Sequence, residues 1–128
     1  MPTCTTHGIK IVVQTRYEPK HSEPKKKKYI FSYKIVITNE SEVVVQLLRR
    51  HWYIIDSIGV KREVKGDGVV GEQPIIEPGG SHTYVSWCPF ESEVGMMKGH
   101  FTMMQAADGK LMDIKVPDFT MCTTPRLN

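Results

Sequence analysis

The residues with the most specific chemical pattern in this sequence are three glycines. Gly66, Gly68 and Gly71 match GxGxxG, a spacing whose glycines let backbone amides approach a pyrophosphate closely. In dinucleotide-binding folds, this pattern follows a strand and opens a helix whose N-terminus holds the phosphates. Here Pro74 and Pro78 follow too soon for such a helix, which excludes the dinucleotide-binding fold. The remaining hypothesis is a nest of amides that binds a pyrophosphate-like anion without a helix dipole.

The charges near these glycines both favour and oppose an anion. Arg50 or Lys65 would add positive charge, whereas the carboxylates of Asp67 and Glu72 would repel the ligand. A tight, irregular connection between two strands would need the same glycines, because they supply positive φ angles. Both interpretations stay open, and the three glycines are the predicted ligand-binding residues.

Histidine and cysteine are spread along the chain without the spacing of a metal site. Zinc sites are usually recognised by short pairs such as CxxC or HxxxH. No such pair occurs among these residues: His7, His21, His51, His82, His100, Cys4, Cys88 and Cys122. We therefore expect no metal ligand and no cofactor, and we interpret the cysteines as small buried apolar residues.

The nearest approach to a catalytic set is Arg50 and His51 with Asp56 and Ser57. In a straight strand, side chains alternate between faces, so His51 would lie opposite Arg50 and Asp56. No acid–base pair then converges, and Ser86 lacks the GxSxG pattern of an activated serine. The sequence therefore predicts no catalytic residue.

Positive charge is concentrated near the N-terminus. The chain has 17 Lys and Arg against 14 Asp and Glu, a net charge of +3, and four consecutive lysines occupy residues 25–28. Pro19 and Pro24 predict a loop here, and we expect its lysines to protect a neighbouring strand edge from aggregation. Tyr17 and Tyr29 are the aromatic residues that flank the lysines, too few to stack bases. Nucleic acid is therefore not an expected partner.

Alternation of apolar and polar residues predicts β-strands. Apolar side chains occupy every second position over residues 9–13, 29–37 and 112–116, which is typical of half-buried strands. Asp108 and Gly109 supply the positive φ angles of a tight hairpin, so the segments on either side should pair antiparallel. Further Gly and Pro turn signals divide the chain into about seven strands without a convincing helix.

One long segment, residues 42–57, contains neither Gly nor Pro and could form a helix on length alone. Its valines and aromatic residues favour a pleated surface instead, so we predict a long strand with a bend near Arg50. Together these segments predict an all-β fold, an antiparallel β-sandwich of immunoglobulin-like or fibronectin type III-like arrangement.

Length and composition narrow the class of protein. A chain of 128 residues has room for one domain with its own core. Its apolar runs are far shorter than the roughly 20 residues of a membrane span, and the N-terminus shows no signal pattern. Three cysteines are too few for a disulfide framework. We expect a cytoplasmic protein with reduced thiols.

An ordered set of motifs resembles one known family. The motifs are QLLRRHW at residues 46–52, GVVGEQP at 68–74, PG at 78–79, YVS at 84–86, GMMKG at 95–99 and VPDF at 116–119. In this order they are closely similar to the ApaG family. The resemblance implies a single ApaG domain over residues 1–128, with an ordered core over about 7–121 and a fibronectin-like sandwich.

The resemblance also implies functions. Bacterial members of the family are linked by gene name and neighbourhood to dinucleoside-polyphosphate metabolism and to cobalt and magnesium handling. Related domains in eukaryotic F-box proteins and in a DNA-polymerase-interacting protein look like interaction modules. Family accounts place pyrophosphate binding at the glycine motif, which maps here onto Gly66, Gly68 and Gly71. This chain has Asp67 where the family commonly has proline.

We therefore expect a non-catalytic binding module of the ApaG type that mediates protein–protein interaction. A sandwich without a converging nucleophile, base or metal set offers surfaces and strand edges to partners. The alternative is a protein, or an enzyme, that binds pyrophosphate or a nucleotide polyphosphate through residues 66–71. Because open sandwiches leave strand edges unpaired, we expect a monomer or a weak homodimer.

Overall fold

Nine strands supply most of the regular structure in the part of the chain described here. The computed structural model describes residues 1–124. Its strands are β1 (Thr3–Thr6), β2 (Ile9–Tyr17), β3 (Tyr29–Asn39), β4 (Val45–Asp56), β5 (Lys61–Asp67), β6 (Ile75–Ile76), β7 (Ser81–Phe90), β8 (Val94–Gln105) and β9 (Leu111–Cys122). Two single-turn 3-10 helices, Pro19–His21 and Pro24–Lys26, lie in the lysine-rich connection. Within residues 1–124, neither helix has the length and apolar character needed to cross a membrane.

The strands form two antiparallel sheets. The first has the order β1-β2-β3-β7, and the second has the order β5-β4-β8-β9 with β6 beside the start of β4. Every pair of neighbouring strands is antiparallel, which confirms the predicted all-β antiparallel sandwich. The hairpin predicted at Asp108 and Gly109 is also confirmed, since this turn joins β8 to β9.

The core lies between the inner faces of the two sheets. In β3, the odd-numbered residues from Phe31 to Ile37 are buried, as the alternation over residues 29–37 predicted. Full burial of each large apolar side chain contributes about 1.5–3 kcal/mol. The largest fully buried side chains are Phe31, Phe101, Phe119, Ile9, Ile11, Ile35, Ile37, Leu47, Met97, Met103, Ile114 and Met121.

A β-bulge redirects the inner face of β4. The pairing of β4 with β8 shifts register between Leu47 and Arg49, so Leu48 is the extra residue. Buried residues are odd-numbered before the bulge and even-numbered after it: Val45 and Leu47, then Trp52, Ile54 and Asp56. The extra residue keeps one face of the strand apolar and places Arg50 on the inner side. The bulge lies two residues from Arg50, where the sequence predicted a bend.

The two lateral edges of the sandwich are formed by different strands. On one side, β9 packs against β1 and β2. On the other side, β7 ends the first sheet and β5 ends the second. Arg62 of β5 reaches across this side and donates from Nη2 to the carbonyl oxygen of Pro89 in β7 at 2.5 Å. The candidate sites described next lie along this side.

Candidate functional site

Residues 66–71, which we call the glycine loop, end β5 and form a tight turn. The Val69 amide donates to the Glu72 carbonyl oxygen at 2.8 Å, and the Glu72 amide donates back to Val69 at 3.1 Å. Between them, Val70 and Gly71 have φ angles of 48° and 76°, the pattern of a type I′ turn. The backbone therefore adopts the tight connection that was one of the two interpretations of the glycine motif.

A close contact with the backbone requires glycine at one of the three predicted positions, and a side chain approaches closely at another. Gly68 has φ of 63°, and a Cβ atom there would overlap the carbonyl oxygen of Glu72. At Gly66, a Cβ atom would lie 2.8–2.9 Å from three atoms of the Arg50 guanidinium group, so the bare glycine leaves room for that group. Gly71 has open space around it, and its requirement is the left-handed backbone alone.

Arg50 fastens the glycine loop to β4. Its Nη1 atom donates to the carbonyl oxygens of Asp67 at 2.9 Å and Gly68 at 3.0 Å. The Gly68 amide donates in turn to the carbonyl oxygen of Leu48, the bulge residue, at 2.8 Å. The structure thus brings Arg50 together with two of the predicted glycines, on the carbonyl side of the loop.

The amides of the glycine loop are only partly available to an anion. Those of Gly68 and Val69 donate within the protein, whereas those of Val70 and Gly71 have no hydrogen-bond partner among residues 1–124. Lys65, the second predicted cation, pairs in register with His51 on the outer face of its sheet. Its Nζ lies 3.6 Å from a carboxylate oxygen of Glu63. Lys65 and Arg50 therefore occupy opposite faces of the sheet.

A cavity of about 320 Å³ lies between the glycine loop and the first sheet. Tyr33 of β3 and Tyr84 and Ser86 of β7 reach it from the inner face of the first sheet. Arg50 reaches it from the second sheet. We call this space the tyrosine cavity, and its lining residues are Tyr33, Arg50, Asp67, Val69, Val70, Gly71, Tyr84 and Ser86.

The hydroxyl of Tyr84 is buried without a partner. Tyr84 is 8% exposed, and its Oη has no hydrogen-bond partner among the described residues, although an unpaired buried hydroxyl costs about 1–3 kcal/mol. Burial raises the pKa of Tyr84 well above its ordinary value; the nearby Tyr33 adds to this shift and Arg50 opposes it. Burial likewise raises the pKa of Tyr33. Both phenols therefore keep their protons at neutral pH and can donate hydrogen bonds.

Histidines gather on the outer face of the second sheet. The rings of His51 and His100 lie 5.1 Å apart, and His51 stacks on Tyr53 at 4.7 Å. Nε2 of His51 is 3.6 Å from a carboxylate oxygen of Glu63, whereas Asp56 faces the core from the other side of β4. No group of three His, Cys, Asp or Glu side chains is arranged to hold a metal ion within residues 1–124.

The free edge of β7 carries unpaired backbone groups. The Asn39 amide donates to the Gly80 carbonyl oxygen at 2.9 Å, and bonded pairs alternate along an antiparallel ladder. Even-numbered residues of β7 therefore bond β3, and odd-numbered residues direct their N–H and C=O groups away from it. Pro89 agrees with this, since its carbonyl oxygen accepts from Arg62 outside the sheet. In residues 83–87, which we call the β7 edge, the outward groups have no partner within the described chain.

The side chains of the β7 edge are apolar where they face solvent. Val85 is 49% exposed and Trp87 is 50% exposed, and the Trp87 ring meets His21 edge-on at 5.1 Å. Strand β7 contains no Asp, Glu, Lys or Arg, whereas five of the seven residues of β5 are charged. Because charged residues discourage edge-to-edge pairing, β7 is the less protected of these two edges.

Sequence reasoning did not identify the tyrosine cavity or the β7 edge. Alternation correctly placed Tyr33 on the inner face, but its approach to Arg50 depends on the bulge at Leu48, which no local pattern marks. A usable signal for the β7 edge was the absence of charge over residues 81–90. An uncharged strand can be recognised as a sheet edge only when the order of the strands in the sheet is known.

Comparison with known proteins finds relatives that match nearly the whole chain. A family model described as the ApaG domain matches residues 19–105. The chain is 42% identical over 124 residues to Protein ApaG of Pseudomonas aeruginosa, covering 97% of this chain and 98% of that protein. It is 40% identical over 116 residues to Protein ApaG of Sinorhizobium fredii, covering 91% and 88%.

Solved structures with the same fold also match the chain. The crystal structure of an ApaA protein from Bordetella pertussis has a TM-score of 0.88 at 32% identity and covers 98% of each chain. A protein from Archaeoglobus fulgidus, with a TM-score of 0.51 at 12% identity over 90% of this chain and 98% of its own, shares the fold alone. On the family match and the full-length relatives together, the chain belongs to the ApaG domain family.

Proposed function

We propose that this ApaG-domain protein is a non-catalytic binding module that accepts an extended segment of a protein partner along the β7 edge. The observation that carries this proposal is the free, uncharged backbone edge of residues 83–87 with two exposed apolar side chains beside it. A strand added there would pair with the outward N–H and C=O groups. Val85 and Trp87 would then contact alternate side chains of the added strand.

Charge on the outer face of the first sheet narrows the partner's chemistry. Strands β2, β3 and β7 contain no Asp or Glu, and β2 and β3 present Lys10 and Lys34 on this face. Arg16 lies on the same face, with its Nε 3.8 Å from a carboxylate oxygen of Glu18. Lys34 is the register partner of Val85. Since complementary charge guides association and excludes wrong partners, an acidic segment with alternating apolar residues fits this surface best.

Peptide selection on the intact protein tests the proposal. Peptides selected from a random library are measured against wild type, Val85→Pro and a matched control, Leu111→Ser, which changes an exposed apolar residue of β9. Proline at residue 85 removes an outward N–H and leaves the bonds to β3 in place. We expect selected peptides to be acidic with alternating apolar residues. We also expect at least about tenfold weaker binding by Val85→Pro, from the lost strand pairing, with no change in the control.

Two results would contradict this proposal. The first is equal peptide affinity for wild type and a folded Val85→Pro variant, since binding would then not use the β7 edge. The second is hydrolysis of diadenosine polyphosphate by the wild type that disappears in Arg50→Ala or His51→Ala, which would make the protein an enzyme.

A second candidate function is binding of pyrophosphate or a nucleotide polyphosphate at Gly66, Gly68 and Gly71. The free amides of Val70 and Gly71 support it. An amide-shift titration with pyrophosphate tests it. Shifts confined to residues 66–71 would support it, and shifts centred on the lysines at 25–28 would show nonspecific attraction.

The family's links to cobalt resistance and magnesium efflux, and a cytoplasmic location, stay predictions.

A further inference from the structure

We infer that the tyrosine cavity binds a small carboxylate ligand, at a site separate from the partner strand proposed for the β7 edge. The cavity holds a guanidinium group with unused donors and a buried hydroxyl without an acceptor.

The Arg50 guanidinium group supplies the cation of this site. Its Nη1 atom is occupied by the carbonyl oxygens of Asp67 and Gly68. Within residues 1–124, neither Nη2 nor Nε has a hydrogen-bond partner. These two atoms form one edge of the planar group, the edge that pairs with both oxygens of a carboxylate. The loop therefore holds Arg50 in place and leaves its carboxylate-binding edge unused.

The first sheet supplies further donors to the cavity. Tyr84 has a buried hydroxyl with no acceptor among the described residues, and its raised pKa keeps the proton on it. Tyr33 and Ser86 line the same cavity with two more hydroxyls. Arginine cannot accept a hydrogen bond, so neither the free edge of Arg50 nor the Tyr84 hydroxyl has an acceptor among the described residues. A ligand that only accepts hydrogen bonds supplies what the cavity lacks.

The charges that line the cavity favour a singly charged anion over a dianion. Among its lining residues, Arg50 is the one cation and Asp67 is the one acid. Since these two charges balance each other, a phosphate dianion would add two uncompensated negative charges beside Asp67, whereas a carboxylate adds one and matches the planar guanidinium edge. Val69, which is 1% exposed, and the tyrosine rings provide an apolar surface for the carbon atoms of such a ligand.

Titration of the full chain with acetate, followed by amide and methyl chemical shifts, tests this inference. Acetamide has nearly the same shape without the charge and serves as the ligand control. We expect saturable shifts at Val69, Gly71 and Tyr84. Tyr84→Phe should bind acetate about tenfold more weakly, because a hydrogen bond to a charged group is lost. Tyr53→Phe, which removes a hydroxyl from an exposed residue on the outer face, should bind as wild type does.

The free protein should tolerate Tyr84→Phe, because the hydroxyl that it removes is unpaired. Equal acetate affinity in wild type and Tyr84→Phe would overturn the inference, as would equal binding of acetamide or shifts centred on the lysines at 25–28. Tighter binding of pyrophosphate than of acetate, with shifts confined to Val70 and Gly71, would also overturn it in favour of the loop amides. Val85→Pro should leave acetate binding unchanged, so failure at the β7 edge and failure in the cavity are distinguishable.

Discussion

At the scale of single residues, Gly68 and Gly71 share a left-handed backbone but differ in their surroundings. An alanine Cβ at residue 68 would overlap the Glu72 carbonyl oxygen, whereas residue 71 has open space. We predict that Gly68→Ala lowers the free energy of unfolding by at least about 2 kcal/mol, from overlap added to backbone strain. Gly71→Ala should cost about 1 kcal/mol from backbone strain alone. Urea unfolding of both variants measures the difference, and equal losses would contradict the geometry of this turn.

Val70 has the same left-handed backbone as these glycines, although it is a β-branched residue and this conformation suits Gly or Asn. It has φ of 48° and is 61% exposed, so little packing offsets the strain. We predict that Val70→Asn raises the free energy of unfolding by about 0.5–1 kcal/mol. Val60→Asn, a change at another exposed valine without a left-handed backbone, should give no gain. A loss of stability in Val70→Asn would show that the Val70 side chain stabilises the turn.

The glycine motif could be recognised in the sequence, but the sequence does not show which of its backbone amides are free of hydrogen bonds. The motif alone cannot show that the Gly68 amide donates to Leu48, because that bond joins residues 20 positions apart. For the same reason, Arg50 could be predicted as charge support, but not as the residue whose Nη1 atom donates to the carbonyl oxygens of the loop.

At the scale of elements, Asp56 ties the end of β4 to the turn between β7 and β8. Its carboxylate accepts bonds from the Glu91 amide at 2.7 Å, the Ile58 amide at 3.3 Å and the Ser92 hydroxyl. Burial of Asp56 acts to raise its pKa, but the hydrogen bonds, led by Ser92, outweigh burial and lower the pKa below the ordinary value. These bonds therefore hold the charged form of Asp56 in the folded protein.

The lowered pKa of Asp56 gives a pH dependence with a definite sign. A carboxyl with a lower pKa in the folded state stabilises the fold above its unfolded pKa, about 3.9, and loses this contribution as the pH falls through its folded pKa. We predict that Asp56→Asn lowers the free energy of unfolding by about 1–3 kcal/mol at pH 7. The gap between variant and wild type should narrow in acid. Asp118→Asn, at an exposed site, is the control, and a gap independent of pH would contradict the assigned charge.

Strands could be predicted from the sequence where one face is buried, since alternation over residues 9–13, 29–37 and 112–116 follows directly from that burial. The two-residue strand β6 is too short to show a period. The bulge at Leu48 could not be predicted from the sequence either. Leu47 and Leu48 are both apolar, and only pairing with β8 decides which of them faces the core.

At the scale of the whole molecule, the position of the candidate sites follows from how the sheets close. Packing of β9 against β1 and β2 leaves β5 and β7 at the opposite side, where the glycine loop, the tyrosine cavity and the β7 edge lie together. The strand pattern and the family resemblance both predicted the sandwich. The meeting of Tyr84 with Arg50 requires the stacking of two sheets and could not be obtained from periodicity.

Self-association is a further property of the whole molecule. Two copies can pair their β7 edges about a twofold axis, because antiparallel pairing of identical strands is symmetric. Residues 83–87 provide only a short row of backbone groups for pairing with a second copy. The row ends at Pro89, because its carbonyl oxygen already accepts a hydrogen bond from Arg62. The contact would fall below the roughly 1,000 Å² expected of a stable interface. We therefore predict a monomer in dilute solution with a dimer fraction that rises with concentration in light scattering. Val85→Pro should stay monomeric and Leu111→Ser should behave as wild type does, whereas a stable tetramer or closed ring would require an interface that a single β7 edge cannot form.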